Sequence, residues 1–154
     1  MIRIAAYKGK SFASRLIKLV TGGEYSHVAI MLSDNEIVEA WSSSNKVRVI
    51  SSLSDGHTAK TPVDIYELPM TELQETRFIS GLRSYIGVKY DWMGLVAYLF
   101  GRNMQVEKKV FCSELVGIMC HKTPLKFFKD IPSYKLSPSD IVERLKPLTH
   151  VVTK

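Results

Sequence analysis

Hydrophobic and polar positions alternate with a strand-like period through the first half of the chain and with a helical one through most of the second. Ile2, Ile4 and Ala6 alternate with Arg3 and Ala5, which predicts a first strand. Ser11 then caps a helix to about Val20, ended by Gly22-Gly23. Ser26 to Leu32 and Glu36 to Trp41 are β-branched or apolar runs separated by Ser33-Asp34-Asn35, which is turn chemistry, and they predict an antiparallel hairpin. Val47 to Ile50 and Val63 to Leu68 read as further strands, joined by a polar stretch from Ser51 to His57 that is expected to be mobile. Past Pro69, Thr71 and Gln74 form a capping pattern, and Leu73, Phe78, Leu82 and Tyr85 continue at near-helical spacing until Gly87. Asp91 caps an apolar helix from Trp92 to Phe100, Cys112 opens another through about His121, and Ser137-Pro138 starts a last one containing Ile141, Val142 and Leu145. With no repeat, low-complexity tract or linker, residues 1–154 are expected to form one α+β domain, an antiparallel sheet with helices packed on it.

Composition narrows the picture. Hydrophobic residues at 45% and charged residues at 23% are globular proportions. The apolar run from Trp92 to Phe100 falls well short of the roughly 20 residues that span a membrane, so it is expected to be a core helix. The N-terminus lacks the basic-then-apolar order of a secretion signal, and Cys112 and Cys120 lie too close on one helix to bridge. Free thiols and a cytoplasmic location are expected. The net charge of +6 attracts anionic partners and leaves peripheral contact with an anionic membrane open. The basic residues are dispersed, with Lys108-Lys109 the only adjacent pair, which argues against nucleic acid.

Candidate chemistry centres on Cys112. Leu115, Val116 and Met119 follow it at i+3, i+4 and i+7, so the thiol starts the buried stripe of its helix. At a helix N-terminus the unpaired amides and the dipole lower a thiol pKa, and a first-turn amide is placed to stabilise an oxyanion. Packing as a small hydrophobe is the competing reading; it is accepted for Cys120. Glu114 counts against a thiolate unless it complements the dipole as a first-turn acid.

A partner for the thiol lies in the first hairpin. His27, Ala29 and Met31 share one strand face, and Ile37, Glu39 and Trp41 alternate along the next strand. If Ser33-Asp34-Asn35 is a three-residue loop with Asn35 left-handed, Ala29 pairs with Glu39 and His27 with Trp41. Glu39 is then diagonal to His27 on the same face, within reach past the small Ala29. Such a set supplies nucleophile, base and orienting carboxylate. A two-residue loop would put Glu39 on the opposite face.

Taken in order, Tyr25-Ser26-His27-Val28-Ala29-Ile30, Ile37-Val38-Glu39-Ala40, Tyr90-Asp91 after a Gly, Phe111-Cys112-Ser113-Glu114-Leu115 and Ser137-Pro138-Ser139-Asp140 resemble the circularly permuted papain-like, NlpC-type cysteine amidases, relatives of the lecithin:retinol acyltransferase-like enzymes. The resemblance spans most of the chain and follows the permuted order of His, Glu, then Cys. It implies a permuted papain-like fold with a partly barrel-like sheet. It also implies Cys112 as nucleophile, His27 as general base and then acid, Glu39 as orienting group, and Tyr25 near the substrate. Trp41, Tyr90 and Trp92 are further candidates for lining the pocket, with a place in the core as the alternative.

The expected activity is hydrolysis of an amide or ester through an acyl-enzyme, on peptide-type substrates such as cell-wall peptides, without cofactor. Lipid acyl transfer or hydrolysis, and a non-catalytic peptide- or lipid-binding module, remain the alternatives. His57 is read as a solvated loop residue, although it could enter the site as a substrate contact. Asp91 is read as a helix cap, and His121 and His150 show no partner. Cys120-His121 lacks the spacing of a zinc site, so no metal is expected.

Overall fold

Alternation along the first strand, β1 (Arg3–Tyr7), puts Ile4 and Ala6 on one face and Ala5 and Tyr7 on the other, and both faces are buried. The computed structural model describes residues 1–101, 108–123, 125, 128, 130–148 and 151–153, and His150 lies outside these. Seven more strands complete one sheet: β2 (His27–Ser33), β3 (Glu36–Trp41), β4 (Lys46–Ile50), β5 (Val63–Glu67), β6 (Lys89–Tyr90), β7 (Lys109–Val110) and β8 (Val151–Thr153). Their order is β7-β6-β4-β3-β2-β1-β5-β8. Every pairing is antiparallel except β6 with β7. The two end strands do not pair, so the sheet is open and the expected barrel-like closure is not formed among the described residues.

The helices are α1 (Phe12–Thr21), α2 (Glu72–Arg83), α3 (Trp92–Leu99), α4 (Cys112–Lys122) and α5 (Pro138–Leu145). Their starts follow the expected capping chemistry. Ser11, Thr71, Asp91 and Ser137 each accept a first-turn amide proton, and Gly22 closes α1 in the left-handed region with φ 66°. The arrangement is α+β, as the sequence pattern predicts.

The β2–β3 register is the point on which the site depends. Ile30 pairs with Val38 and Met31 with Ile37, the register expected for a three-residue loop. The turn itself differs: Asp34 and Asn35 alone make it, and Asn35 is not left-handed. A register shift between Met31 and Ser33 supplies the extra residue. A bulge leaves two residues opposite one, so it offsets the face inversion that a two-residue turn would cause.

The stretch from Ser51 to His57 folds over the second face of the sheet, where Leu53 packs against the cluster that includes Ala5, Tyr7, Met31 and Ile37. Asp55 Oδ2 accepts the Ser51 and Ser52 amide protons at 3.2 Å each, and the Asp55 carbonyl accepts from Arg48 at 2.9 Å. One other expectation is corrected: helix α3 is not a core helix, since only Gly94 and Ala97 are buried along it. An apolar run too short for a full helical face of polar residues carries no signal of which side meets the sheet.

Helix α4 is buried along almost its whole length, on the face of β2 and β3 opposite the Ser51–His57 segment and beside α2. The two-residue strands β6 and β7, which the sequence pattern does not reveal, tie its start to that of α3, with the Asp91 amide donating to the Val110 carbonyl at 3.0 Å. Near mid-helix, Gly117 allows the turn at Ser133–Lys135 to approach. A Cβ at Gly117 would stand 3.0 Å from the Ser133 Cα and 2.7 Å from a Leu136 methyl. Because backbone cannot yield as a side chain does, Gly117→Ala is expected to destabilise the protein by about 1–3 kcal/mol in urea unfolding.

Candidate functional site

Cys112 is the first residue of α4, and its thiol stands beside the His27 ring at the start of β2, close enough for the two to interact. The Val28 and Ser113 amides add to the setting that favours negative charge on the sulfur. Phe111 provides no side-chain cap, but Glu114 accepts the Phe111 amide proton at 3.4 Å, the local role of a first-turn acid.

His27 Nε2 donates to Glu39 Oε2 at 2.6 Å, which leaves Nδ1 for the thiol. Glu39 is fully buried and reaches past Ala29, as the register requires. Its other oxygen, Oε1, accepts two bonds from Arg48, at 3.0 Å from Nε and 2.6 Å from Nη2. Arg48 stands directly opposite Glu39 across β3 and β4. His57 adds a second imidazole, with Nε2 at 3.2 Å from Glu39 Oε2 and its ring stacked on Tyr7 at 4.0 Å. Its side chain is 7% exposed, so the reading of His57 as a solvated loop residue is corrected.

Charge follows this geometry. Burial opposes ionisation of Cys112, yet His27 and the two amides overcome it and hold the thiol below its ordinary value. Burial likewise opposes the imidazolium, but the thiolate and Glu39 raise His27 from 6.5 to about 10. Glu39 is held well below the carboxylate range by the two histidines, against the effect of burial. The arrangement favours a thiolate–imidazolium pair braced by a carboxylate. Cys120, eight residues along the same helix, has only burial acting on it and is pushed far up.

Cys112 and His27 border a cleft of about 140 Å³ under α1 and α3, lined mainly by apolar groups including Ile17, Leu95 and Tyr98. On the other side of His27 a space of about 290 Å³ continues past Tyr7, Lys10, Ser43, His57 and Thr61. Gly9 lets α1 come this close, since a Cβ there would sit 2.8 Å from the Ser14 Cβ of α1. Trp41, Tyr90 and Trp92 all line the first space. Tyr25 does not. It precedes β2, its hydroxyl donates to Asp64 at 2.6 Å, and its ring packs in the core with residues of α5 and β5. His121 hydrogen-bonds the Phe128 carbonyl at 2.7 Å and has no part in the site.

Sequence reasoning passed over Arg48 and undervalued His57. An opposite charge directly across from Glu39 is a signal once the β3–β4 register is fixed. His57 gives none, because its approach depends on the path of the Ser51–His57 segment.

No family model and no curated protein matches the chain. Among solved structures it resembles one described as the metalloprotein yiiX from Escherichia coli O157:H7, DUF1105, with a TM-score of 0.67, 18% identity, and coverage of 97% of this chain and 94% of that one. At this identity the likeness is one of fold.

Thiol alkylation tests the ion pair. A depressed thiol pKa means that labelling of Cys112 extends to lower pH than that of an ordinary thiol and falls as pH drops through the lowered value. His27→Ala removes the cation and leaves burial unopposed, so labelling at pH 7 is expected to slow at least about tenfold, one pKa unit being a factor of ten in thiolate. Glu39→Gln removes the charge that raises His27. The alkaline limit of the imidazolium is then expected to move down from about 10 toward 6.5, read from the His27 ring resonance in a pH titration.

Proposed function

We propose that this protein is a cysteine hydrolase that cleaves an amide or ester through an acyl-enzyme on Cys112, within a permuted papain-like domain. The observation that carries the reading is the convergence of the Cys112 thiol, the His27 ring and the buried Glu39 at the cleft, with His27 preceding Cys112 in the chain. The leading substrate class is peptide-type, cell-wall peptides included.

In the first half-reaction the Cys112 thiolate attacks the carbonyl carbon and the carbon–oxygen π pair moves onto oxygen. The Ser113 amide, in the first turn of α4, is the nearest candidate donor to that oxyanion. As the intermediate collapses, His27 Nδ1 gives its proton to the leaving amine or alcohol, and the acyl group stays on sulfur. Water then attacks the thioester, His27 takes its proton, and the acid leaves as the thiol pair is restored. Glu39 keeps Nε2 protonated throughout, fixing which nitrogen faces sulfur. The experiment is to trap the acyl group from a mixed peptide and lipid ester library and weigh the chain. A mass increment on Cys112, absent in Cys112→Ser and His27→Ala, is expected; turnover retained by Cys112→Ser would remove the reading.

A second reading is favoured by one feature. Ligand atoms of His27, Glu39 and His57 lie within 4.8 Å of one another, a two-histidine, one-carboxylate set able to hold a divalent ion with an open position. The neighbouring structure's description as a metalloprotein is of the same kind. The charges do not fit well: Arg48 holds Glu39 at 2.6 Å, so a cation there would face a guanidinium and displace both histidine protons. Substoichiometric zinc by elemental analysis and activity unchanged by chelator are expected. Zinc bound one per chain, lost in His57→Ala, would favour the metal centre.

A further inference from the structure

Helices α1 and α3 turn their apolar sides outward. On α1 the stripe Phe12, Leu16, Leu19 and Val20 recurs at i, i+4, i+7 and i+8, and no residue of the helix is buried. Phe12 is 84% exposed and Leu19 79%. On α3 the outward stripe is Trp92, Met93, Val96 and Phe100, the last 77% exposed. The two helices lie side by side and form the walls of the cleft that holds Cys112. A soluble surface rarely leaves two neighbouring helices apolar on the solvent side without a partner.

Charge says what kind of partner. Residues 1–23 hold no carboxylate; of their cations, Arg3 pairs with Asp34 and Lys8 with Asp64 and Glu24, which leaves Lys10, Arg15 and Lys18 without a carboxylate partner among the described residues. On α1, Arg15 stands at i+3 from Phe12 and four residues before Leu19, so it flanks the apolar stripe, and Lys18 follows next to Arg15. From Trp92 to Gly101 there is no acidic residue, and Asp91 is buried in its cap. A protein partner would ordinarily be matched by charges of both signs, whereas an apolar strip whose own helix carries cations and no carboxylate fits an anionic lipid surface.

We infer that the outward faces of α1 and α3 dock this protein on anionic membranes, with the Cys112 cleft opening at the interface. Phe12, Leu19 and Phe100 enter the acyl boundary while Arg15 and Lys18 meet the phosphates. The cleft's place at the interface deepens the proposed function, since it directs the thiol toward an amide or ester carried on a lipid anchor. The docking itself does not depend on that chemistry.

Flotation with phosphatidylcholine vesicles, alone and with phosphatidylglycerol, tests it, with Trp92 fluorescence in a Trp41→Phe background as a second readout. Binding to the phosphatidylglycerol vesicles is expected to weaken with added salt and to be at least tenfold tighter than to phosphatidylcholine alone. A Phe12→Ser, Leu19→Ser pair should abolish it, and Arg15→Glu or Lys18→Glu should each weaken it about fivefold or more. Unchanged thiol labelling would show that these variants remain folded. Cys112→Ala should bind as the wild type does, so loss of the hydrolase reading and loss of the docking are told apart. No binding to the anionic vesicles, equal binding by the Ser variants, or a dimer in solution that those variants dissolve would overturn the inference.

Discussion

Glu39 is the group around which the site is built. A carboxylate with no solvent access is costly unless its lone pairs are filled, and here four contacts fill them: two from Arg48 and one each from His27 and His57. The donors come from β2, from β4 and from the segment over the second sheet face. Two strand registers and the path of one connection are thereby tied to a single buried charge. Removing any donor leaves charge uncompensated in an apolar setting, so the stability of this region and the orientation of His27 are one problem.

The thiol completes a chain of alternating charge: Arg48, Glu39, His27, Cys112. Each member is stabilised by the next, and burial, which disfavours every isolated ion, strengthens every pair. Cys120 shows what burial does alone. It sits on the same helix with no cation and no free first-turn amide, and its thiol stays protonated. The contrast lies in position along α4, because only the first turn has amides to spare.

The two sides of the site differ in kind. Toward α3 the cleft is walled by Leu95, Tyr98 and Ile17; beyond His27 it is edged by Ser43, Thr61 and His57. Helices α1 and α3 serve twice, lining the cleft with Ile17 and Leu95 and presenting Phe12 and Phe100 outward, which explains why their sequences are apolar beyond what one buried face needs.

Much of this was legible in the residues. Caps at Ser11, Thr71, Asp91 and Ser137 locate four helices because capping is a local matter of one side chain and one amide. Period-two alternation located β1 to β5, while a common face for His27 and Glu39 rested in addition on a three-residue loop, whose register the structure reaches by a bulge. What the sequence could not decide was whatever depends on distant segments. The hairpin keeps its register through a bulge rather than a longer loop, and both give the same pairing. β6 and β7 are two residues each, too short for any period. His57 meets Glu39 only because Leu53 and Asp55 fold their segment onto the sheet. Sequence alone singled out Cys112, His27 and Glu39 as candidates and determined which elements hold them, since those follow from nearest neighbours along the chain. Tertiary structure alone decided that Tyr25 faces the core, that Arg48 and His57 complete Glu39, and that α3 turns its apolar side outward, because periodicity shows that a face exists and not what it meets.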